Sequence, residues 1–264
     1  MKQRTFRKAA RYLFAAALAA ALSAPASAEE DFTLADVWSD TTHYFTSPLH
    51  WDSTGWELFG GTVVAVAAAH QFDGRVRDHF AGKTPLLDRR DKNSTRDMLP
   101  AAALVAGTLF AGVAMDEKPG RIEAYRMLEA ATLAGVTTEA FKFAAGRERP
   151  DETLQVNAWR KGGNSFPSLH ASAAFAIGTV LAESGSDDYR WVRRIIGYGV
   201  AGYTAYARLH DNAHWLSDVV AGSAVGIYAG AYTVDRRYAS HNLTLNVLPT
   251  PGGVAVQVSY AFRD

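Results

Sequence analysis

The sequence predicts an all-α protein, a bundle of about six core helices followed by a small C-terminal β-hairpin. Six Ala-rich apolar segments of helical length recur from residue 57 onward, and charged, turn-rich linkers separate them. The C-terminal tail changes to strict alternation of apolar and polar residues around Pro and Gly. These patterns indicate a helical domain over residues 57–238 and a hairpin over residues 239–264.

The N-terminus is expected to be a secretory signal peptide over residues 1–28. Five basic residues precede the short apolar run YLFAAALAAALSA, and the small residues of ASAEE offer a cleavage point after Ala28. The run is shorter than the ~20 residues that a membrane span needs, although an uncleaved anchor helix is the alternative. Cleavage would leave 22 basic and 27 acidic residues, a net charge of −5.

This composition excludes several classes of protein. A mildly acidic exported chain has no electrostatic case for binding nucleic acid. The absence of cysteine excludes disulfides and thiolate metal sites, so stability has to come from packing. The predicted signal peptide is the reason to expect a periplasmic or secreted protein.

The elements follow in order along the chain. Residues 29–56 are polar and aromatic, and they predict a cover segment made of a short helix and loops. The six core helices are expected at residues 57–72, 98–115, 122–146, 168–183, 191–208 and 215–234.

The apolar segments raise the question of whether they cross a membrane. The uncharged apolar stretch Leu99–Met115 is shorter than the ~18 residues that signal a span. The third segment carries Glu123, Arg126, Glu129 and Glu139 along its length, which is costly in lipid. The mean hydropathy of the chain is slightly negative. These observations favour a water-soluble bundle, and a membrane-associated protein facing the periplasm is the alternative.

The tail predicts a hairpin because apolar side chains alternate on both sides of the turn sequence PTPGG. Leu243, Leu245 and Val247 alternate before it, and the residues from Val254 to Phe262 do so after it. Such a hairpin either covers one side of the bundle or contacts a membrane or partner surface.

Three short blocks carry the polar side chains that we expect to form a site. In chain order they are KFAAGRERP with Lys142 and Arg149, FPSLHAS with Ser168, Leu169 and His170, and ARLHDNAHWLSD with Arg208, His214 and Asp218. The lysine and the two arginines supply three cations, and arginine forks suit phosphate oxygens. A transferring phosphoryl group spreads negative charge over three oxygens, so fixed cations stabilise its transition state.

The two histidines complete a reaction with this cationic set. His214 and Asp218 are four residues apart, which lets a carboxylate hold one ring nitrogen and fix the tautomer. His214 is therefore the candidate nucleophile and His170 the candidate general acid. Ser168 and the backbone N–H groups around Leu169, at the start of the fourth helix, add neutral donors for an anion.

A metal site is the competing interpretation of the third block. In one continuous helix His210, His214 and Asp218 would share a face. Asp211 or Asn212 would more naturally begin a helix than lie inside one, so a turn is expected between the histidines. We expect neither a metal nor another cofactor.

The three blocks resemble the signature of the type 2 phosphatidic acid phosphatase and vanadium haloperoxidase superfamily, which reads K-x6-RP, PSGH and SR-x5-H-x3-D. The resemblance spans residues 120–234, and Leu169 and Ala207 stand where the signature has glycine and serine. It implies an all-helical bundle with its site at one end. It also implies a phosphohistidine on His214, orientation of that ring by Asp218, and proton donation by His170.

By the same resemblance, the phosphate-binding residues are Lys142, Arg149, Ser168, Leu169 and Arg208. Two neighbouring features stay open. Arg147 either joins the phosphate-binding shell or is solvated, and residues 151–166 are expected to form a flap. The flap residues Trp159, Arg160 and Lys161 either touch the leaving group or belong to the surface.

The expected function is that of an exported, metal-independent phosphatase acting on phosphate esters or diphosphates. Lipids and small molecules are both open as substrates, and contact with a membrane surface is compatible with either. One alternative is a vanadate-dependent haloperoxidase, for which vanadate would be a cofactor, whereas it would inhibit a phosphatase. The other is a catalytically degenerate scaffold that binds phosphate without turnover.

Overall fold

The computed structural model describes residues 34–81, 95–115, 118–184, 189–234, 243–250 and 253–260. The predicted signal peptide of residues 1–28 lies outside the described residues. Contacts divide the chain into two compact units, residues 1–38 and 39–264, and the first is described only from Leu34.

Eight α-helices make up the described helical part of the chain. They are α1 (Leu34–Thr46), α2 (Ser53–His70), α3 (Asp73–Ala81), α4 (Leu99–Ala114), α5 (Lys118–Ala145), α6 (Leu169–Glu183), α7 (Arg190–His210) and α8 (Leu216–Val234). Short 3-10 helices, Ser47–His50 and Thr95–Met98, precede α2 and α4. The all-α prediction is confirmed, and the six expected core helices correspond to α2 and α4–α8.

Helix α3 corrects the sequence-based assignment of residues 73–81 to a linker. Its sequence DGRVRDHFA is dominated by charged residues and lacks an apolar stripe. Its buried side chains are Asp73 and Phe80, and Asp73 accepts hydrogen bonds from Arg147 and Ser217, which lie more than 70 positions further along the chain. Tertiary contacts, which the local pattern does not reveal, therefore stabilise this helix.

Two strands are assigned near the C-terminus, β1 (Leu243–Thr250) and β2 (Gly253–Tyr260). They pair antiparallel, with Leu243 opposite Tyr260 and Thr250 opposite Gly253. Their side chains lie outside the described residues, so the expected hairpin and its covering or docking role stay predictions.

The core helices run alternately up and down, so that α2, α5 and α7 end where α4, α6 and α8 begin. Hydrogen bonds mark this shared end: Ser168 N–H donates to the Asp218 carbonyl at 3.0 Å, and Arg208 pairs with Asp97 just ahead of α4. All three sequence blocks therefore lie at one end of the bundle.

Helix α6 is the centre of the bundle and packs against α5, α7 and α8. Its residues from Ala176 to Ala182 are all buried, because the sequence LHASAAFAIGTVLAE offers small or apolar side chains on every face. The remaining core is apolar, with Met127 and Leu133 of α5 and Ala229 of α8 packed around it.

Glycines set the distance between α6 and α8. Gly222, Gly226 and Gly230 form a stripe on α8, and a Cβ at Gly226 would lie 2.3 Å from the Ser172 carbonyl oxygen. The stripe lets the two backbones approach to contact distance, as small residues do wherever helices pack closely. Because Ser168 and Asp218 sit at the starts of these two helices, the stripe also sets the spacing across the site.

We expect Gly226→Ala to destabilise the protein by about 1–3 kcal/mol, because its methyl group would overlap the α6 backbone. Gly199→Ala is the matched control, since a Cβ at Gly199 meets nothing within 4 Å. In the control, the better helix propensity of alanine should stabilise the protein by about 0.5–1 kcal/mol. Thermal denaturation measures both changes, and shifts of the same sign would contradict the close packing of α6 and α8.

Candidate active site

The predicted site residues come from five neighbouring positions at the shared end of the bundle. Lys142 lies in the last turn of α5, Arg149 in the loop that follows, Ser168, Leu169 and His170 at the start of α6, Arg208 in the last turn of α7, His214 just before α8 and Asp218 in the first turn of α8. The positive charges of four of them act on the His214 ring. The structure thus brings the three blocks together around His214.

His214 is buried, with 3% of its surface exposed. Burial lowers its pKa well below 6.5, and the positive charges of Arg149, Lys142, Arg208 and His170 lower it further. The ring is therefore neutral near pH 7, which is the state that a nucleophilic imidazole needs.

Asp218 faces the His214 ring from the first turn of α8. Its Oδ2 lies 3.6 Å from His214 Nδ1, which is ion-pair distance and longer than a hydrogen bond. The same oxygen accepts hydrogen bonds from Ser165 Oγ at 2.5 Å and from the Trp215 N–H at 3.0 Å. Burial raises the pKa of Asp218. The positive charge of Arg147 lowers this pKa, and the hydrogen bond from the Ser165 hydroxyl lowers it by less.

Lys142 and Arg149 are held buried beside the ring. The pKa of Lys142 is lowered to about 8, and burial is the main cause. Glu139, whose carboxylate oxygen lies 3.6 Å from Nζ, acts to raise this pKa, whereas the positive charge of Arg149 acts to lower it. Burial also lowers the pKa of Arg149, whose Nε donates to Asn164 Oδ1 at 2.9 Å. Two desolvated cations in one place favour the arrival of an anion.

Arg208 is fully buried and pairs with Asp97 through Nη1. Its Nε and Nη2 are buried without a hydrogen-bond partner among the described residues. A buried donor without an acceptor is costly, and the oxygens of a bound phosphate would accept hydrogen bonds from both Nε and Nη2. Arg208 is thus an electrostatically fixed fork with two donors that an anion can use.

The start of α6 supplies the neutral part of the site. Ser168 is the N-cap, and its Oγ accepts from the Ala171 N–H at 3.5 Å, which leaves the hydroxyl proton to donate elsewhere. The Ser168 N–H already donates to Asp218, so Leu169 carries the first backbone donor of the helix that can face an anion. Leu169 is helical, and the leucine in place of glycine therefore needs no left-handed backbone.

His210 lies apart from His214, as the expected turn requires. It is the last residue of α7, and Asn212 then adopts a left-handed conformation with φ of 48°. The His210 ring contacts Asp211, Phe80 and Tyr206. The described residues contain no cluster of three or more His, Asp or Glu side chains that could hold a metal ion.

Arg147 occupies neither of the two positions considered from the sequence. It is fully buried, and its guanidinium bridges Asp218 Oδ1 at 2.6 Å and Asp73 Oδ2 at 2.7 Å. The Trp159 ring packs over this guanidinium, with 4.4 Å between the ring centroid and Cζ, so within residues 151–166 the indole faces Arg147. The motif K-x6-RP leaves the position of Arg147 unspecified, which is why the signature gave no sign of its role.

Asp73 and Asp97 were not predicted as site residues. Each pairs with an arginine of the site end, Asp73 with Arg147 and Asp97 with Arg208. Both precede the first block by more than 40 residues, in stretches of ordinary charged composition. The arginines of the first and third blocks are the only sequence-level hint, because an arginine that becomes buried at a site needs a counter-charge.

Comparison with known proteins connects this geometry to one family. Residues 123–240 match the model of the PAP2 superfamily. The lipid A 1-phosphatase of Porphyromonas gingivalis is 30% identical over 169 residues, which cover 64% of this chain and 35% of that protein. A PA-phosphatase related-family protein of Dictyostelium discoideum is 28% identical over 122 residues, which cover 40% of this chain and 45% of that protein. The chain thus matches less than half of the length of either relative, and no solved structure matches it significantly.

We expect the affinity of the site for orthophosphate to fall above pH 8. The pKa of Lys142 is about 8, so its positive charge is present below that pH and is lost as the pH rises through it. Between pH 8 and 9.5 orthophosphate stays a dianion, and the dissociation constant should rise by up to about tenfold per pH unit. Isothermal titration calorimetry measures this change. In Lys142→Met the affinity should be weaker and should not vary over the same range; a steep fall in that variant would contradict the assignment.

Proposed function

We propose that this chain, whose residues 123–240 form a PAP2 superfamily domain, is a phosphoric ester hydrolase that works through a phosphohistidine on His214. The observation that carries the proposal is a neutral, buried imidazole surrounded by Lys142, Arg149 and Arg208. These cations neutralise the transferring phosphoryl group, a task that metal ions perform in other phosphatases.

The orientation of the His214 ring decides which of its nitrogens can attack phosphorus. Nδ1 of His214 faces Asp218, so Nε2 carries the lone pair that attacks phosphorus. The bond between phosphorus and the ester oxygen breaks, and His170 gives a proton to that oxygen as the alcohol leaves. Water then attacks the phosphohistidine, His170 accepts a proton from it, and orthophosphate leaves with His214 restored.

Replacement of His214 by Ala should lower hydrolysis of an aryl phosphate and of phosphatidate by at least about a thousandfold, because the nucleophile is lost. His210→Ala is the matched control, since His210 lies four residues earlier with its ring against Phe80 and Tyr206, and its activity should stay near that of the native protein. In the native protein, quenching in alkali followed by mass spectrometry should find phosphate on His214.

Three results would contradict this function. Full activity of His214→Ala would exclude the nucleophile, and halide oxidation on addition of vanadate would indicate the haloperoxidase chemistry. Tight phosphate binding with no hydrolysis of any ester would indicate a degenerate scaffold. Vanadate should instead act as a competitive inhibitor, since it mimics the five-coordinate phosphorus of the transition state.

We propose further that the substrate is a phosphorylated lipid. A cleft of about 400 Å³ next to the site is lined mainly by apolar side chains from the end of α5 and from residues 159–166, among them Phe141, Trp159 and Phe166. The Trp159 ring that lines this cleft packs over Arg147, which pairs with Asp218, so the cleft adjoins the site and an apolar chain in it would bring its phosphate towards the cations. The lipid A 1-phosphatase similar to this chain supports the same substrate class.

The apolar surfaces of α2 and α4 support a membrane-associated location. The stretch Arg96–Ala114 is the one described helix that is long and apolar enough to cross a bilayer, and only 11% of it is buried. Helix α2 exposes Leu58 and Val64 to 66% and 68%. Soluble proteins rarely expose long apolar helix faces to water, so we propose that both helices contact lipid. The basic and apolar N-terminus supports export, with the site facing the periplasm.

We expect Phe110→Glu, on the exposed face of α4, to release a large share of the protein from membranes, because a carboxylate in lipid costs several kcal/mol. Leu154→Glu is the matched control, since Leu154 is exposed to 70% but lies in the loop after α5. Cell fractionation with an alkaline carbonate wash measures the distribution. Native protein found wholly in the soluble fraction would instead establish the water-soluble bundle.

A further inference from the structure

Arg147 links the candidate catalytic carboxylate to a second buried carboxylate from another part of the chain. Its Nη1 donates to Asp218 Oδ1 at 2.6 Å, and its Nη2 donates to Asp73 Oδ2 at 2.7 Å. All three side chains are fully buried. One guanidinium therefore bridges two carboxylates, one at each of its terminal nitrogens, which its planar set of donors permits.

Asp73 is itself fixed by the start of α8. Its Oδ1 accepts from the Ser217 N–H at 2.8 Å, and its Oδ2 accepts from the Ser217 hydroxyl at 2.7 Å. The Ser217 oxygen also accepts from Arg147 Nη1 at 2.8 Å, and His70 Nδ1 lies 2.8 Å from Asp73 Oδ2. Asp73 thus binds the residue directly before Asp218 as well as the arginine that contacts Asp218.

Aromatic walls isolate this network from solvent. The Trp159 and Trp215 rings lie 4.4 and 5.1 Å from the Arg147 guanidinium. Burying three charges behind indoles is costly, and apolar residues of similar volume are often at least as stabilising. A purely structural role therefore does not account for the network, whereas its end point beside His214 does.

We propose that Asp73, acting through Arg147 and Ser217, is a positioning residue that fixes the Asp218 carboxylate against the His214 ring. This inference rests on the proposed role of His214 as nucleophile. Asp218 is the acidic partner of a ring that otherwise faces Lys142, Arg149, Arg208 and His170. With Oδ2 3.6 Å from Nδ1, a small rotation of Asp218 would decide whether the proton stays on Nδ1.

Arg147 affects the charge of Asp218, and Asp73 fixes the position of Arg147. A lone carboxylate as deeply buried as Asp218 would tend to take up a proton, and Arg147 opposes this. Asp73 in turn holds Arg147 in place, so that the guanidinium does not turn towards the anion site. The network therefore opposes protonation of Asp218 and keeps Arg147 out of the phosphate-binding set.

The test is Asp73→Asn in the full chain, which removes the charge and one acceptor while keeping the shape. We expect kcat to fall about ten- to hundredfold, in the range of outer-shell positioning residues, with KM and the inhibition constant of orthophosphate within about twofold of native. Nitrogen-15 shifts of the His214 ring at pH 7.5 should change from one Nδ1-protonated tautomer to a mixture. Asp78→Asn, an exposed carboxylate on the same helix, should change none of these values.

Two further variants test the same network if Asp73→Asn does not fold. Ser217→Ala removes the hydroxyl bridge without altering charge, and it should lower kcat by about three- to tenfold at constant KM. Arg147→Lys keeps the charge but reaches only one carboxylate, so its loss of kcat should lie between the losses of Ser217→Ala and Asp73→Asn.

A native kcat with a single tautomer in Asp73→Asn, or a change confined to thermal stability, would overturn the inference. The tautomer and the phosphate affinity are measured without turnover, so they still test the positioning role if the native protein hydrolyses no ester.

Discussion

The concentration of positive charge around His214 is the constraint on which the rest of the site depends. Buried cations at this density repel one another unless carboxylates lie among them. Asp97 and Asp218 provide this compensation, and Asp73 adds a second carboxylate for Arg147. The compensation is partial at the centre, because Arg208 keeps two donors unpaired among the described residues. An anion of matching size would complete the charge balance.

The helix packing gives this charge distribution its geometry. The α8 glycines bring its backbone against α6, and the two helix starts share a hydrogen bond between Ser168 and Asp218. Backbone contacts fix distances more firmly than long side chains do, because they have no rotamers to lose. The rigid pair α6–α8 therefore holds the N-terminal donors and the His214 turn, while α5 and α7 bring lysine and arginine side chains to them.

Much of this could be read from the sequence, for identifiable reasons. Apolar segments of helical length gave the six core helices to within a few residues, and the three motif blocks gave residues that do meet at one end. The partners Asp73 and Asp97 could not be found, since buried ion pairs between distant residues leave no periodic pattern. Exposure of α2 and α4 was equally hidden, because an apolar helix looks the same in a sequence whether it packs inside a protein or faces outward.

The positions of Asp73 and Asp97 have a consequence for how such domains can be excised or recombined. Both residues precede the segment that matches the PAP2 superfamily, yet each neutralises an arginine inside it. A fragment trimmed to residues 123–240 would contain every motif residue while leaving Arg147 and Arg208 without these two counter-charges. Chimeras that exchange the motif-bearing half between homologues would therefore have to carry a compatible N-terminal half with it.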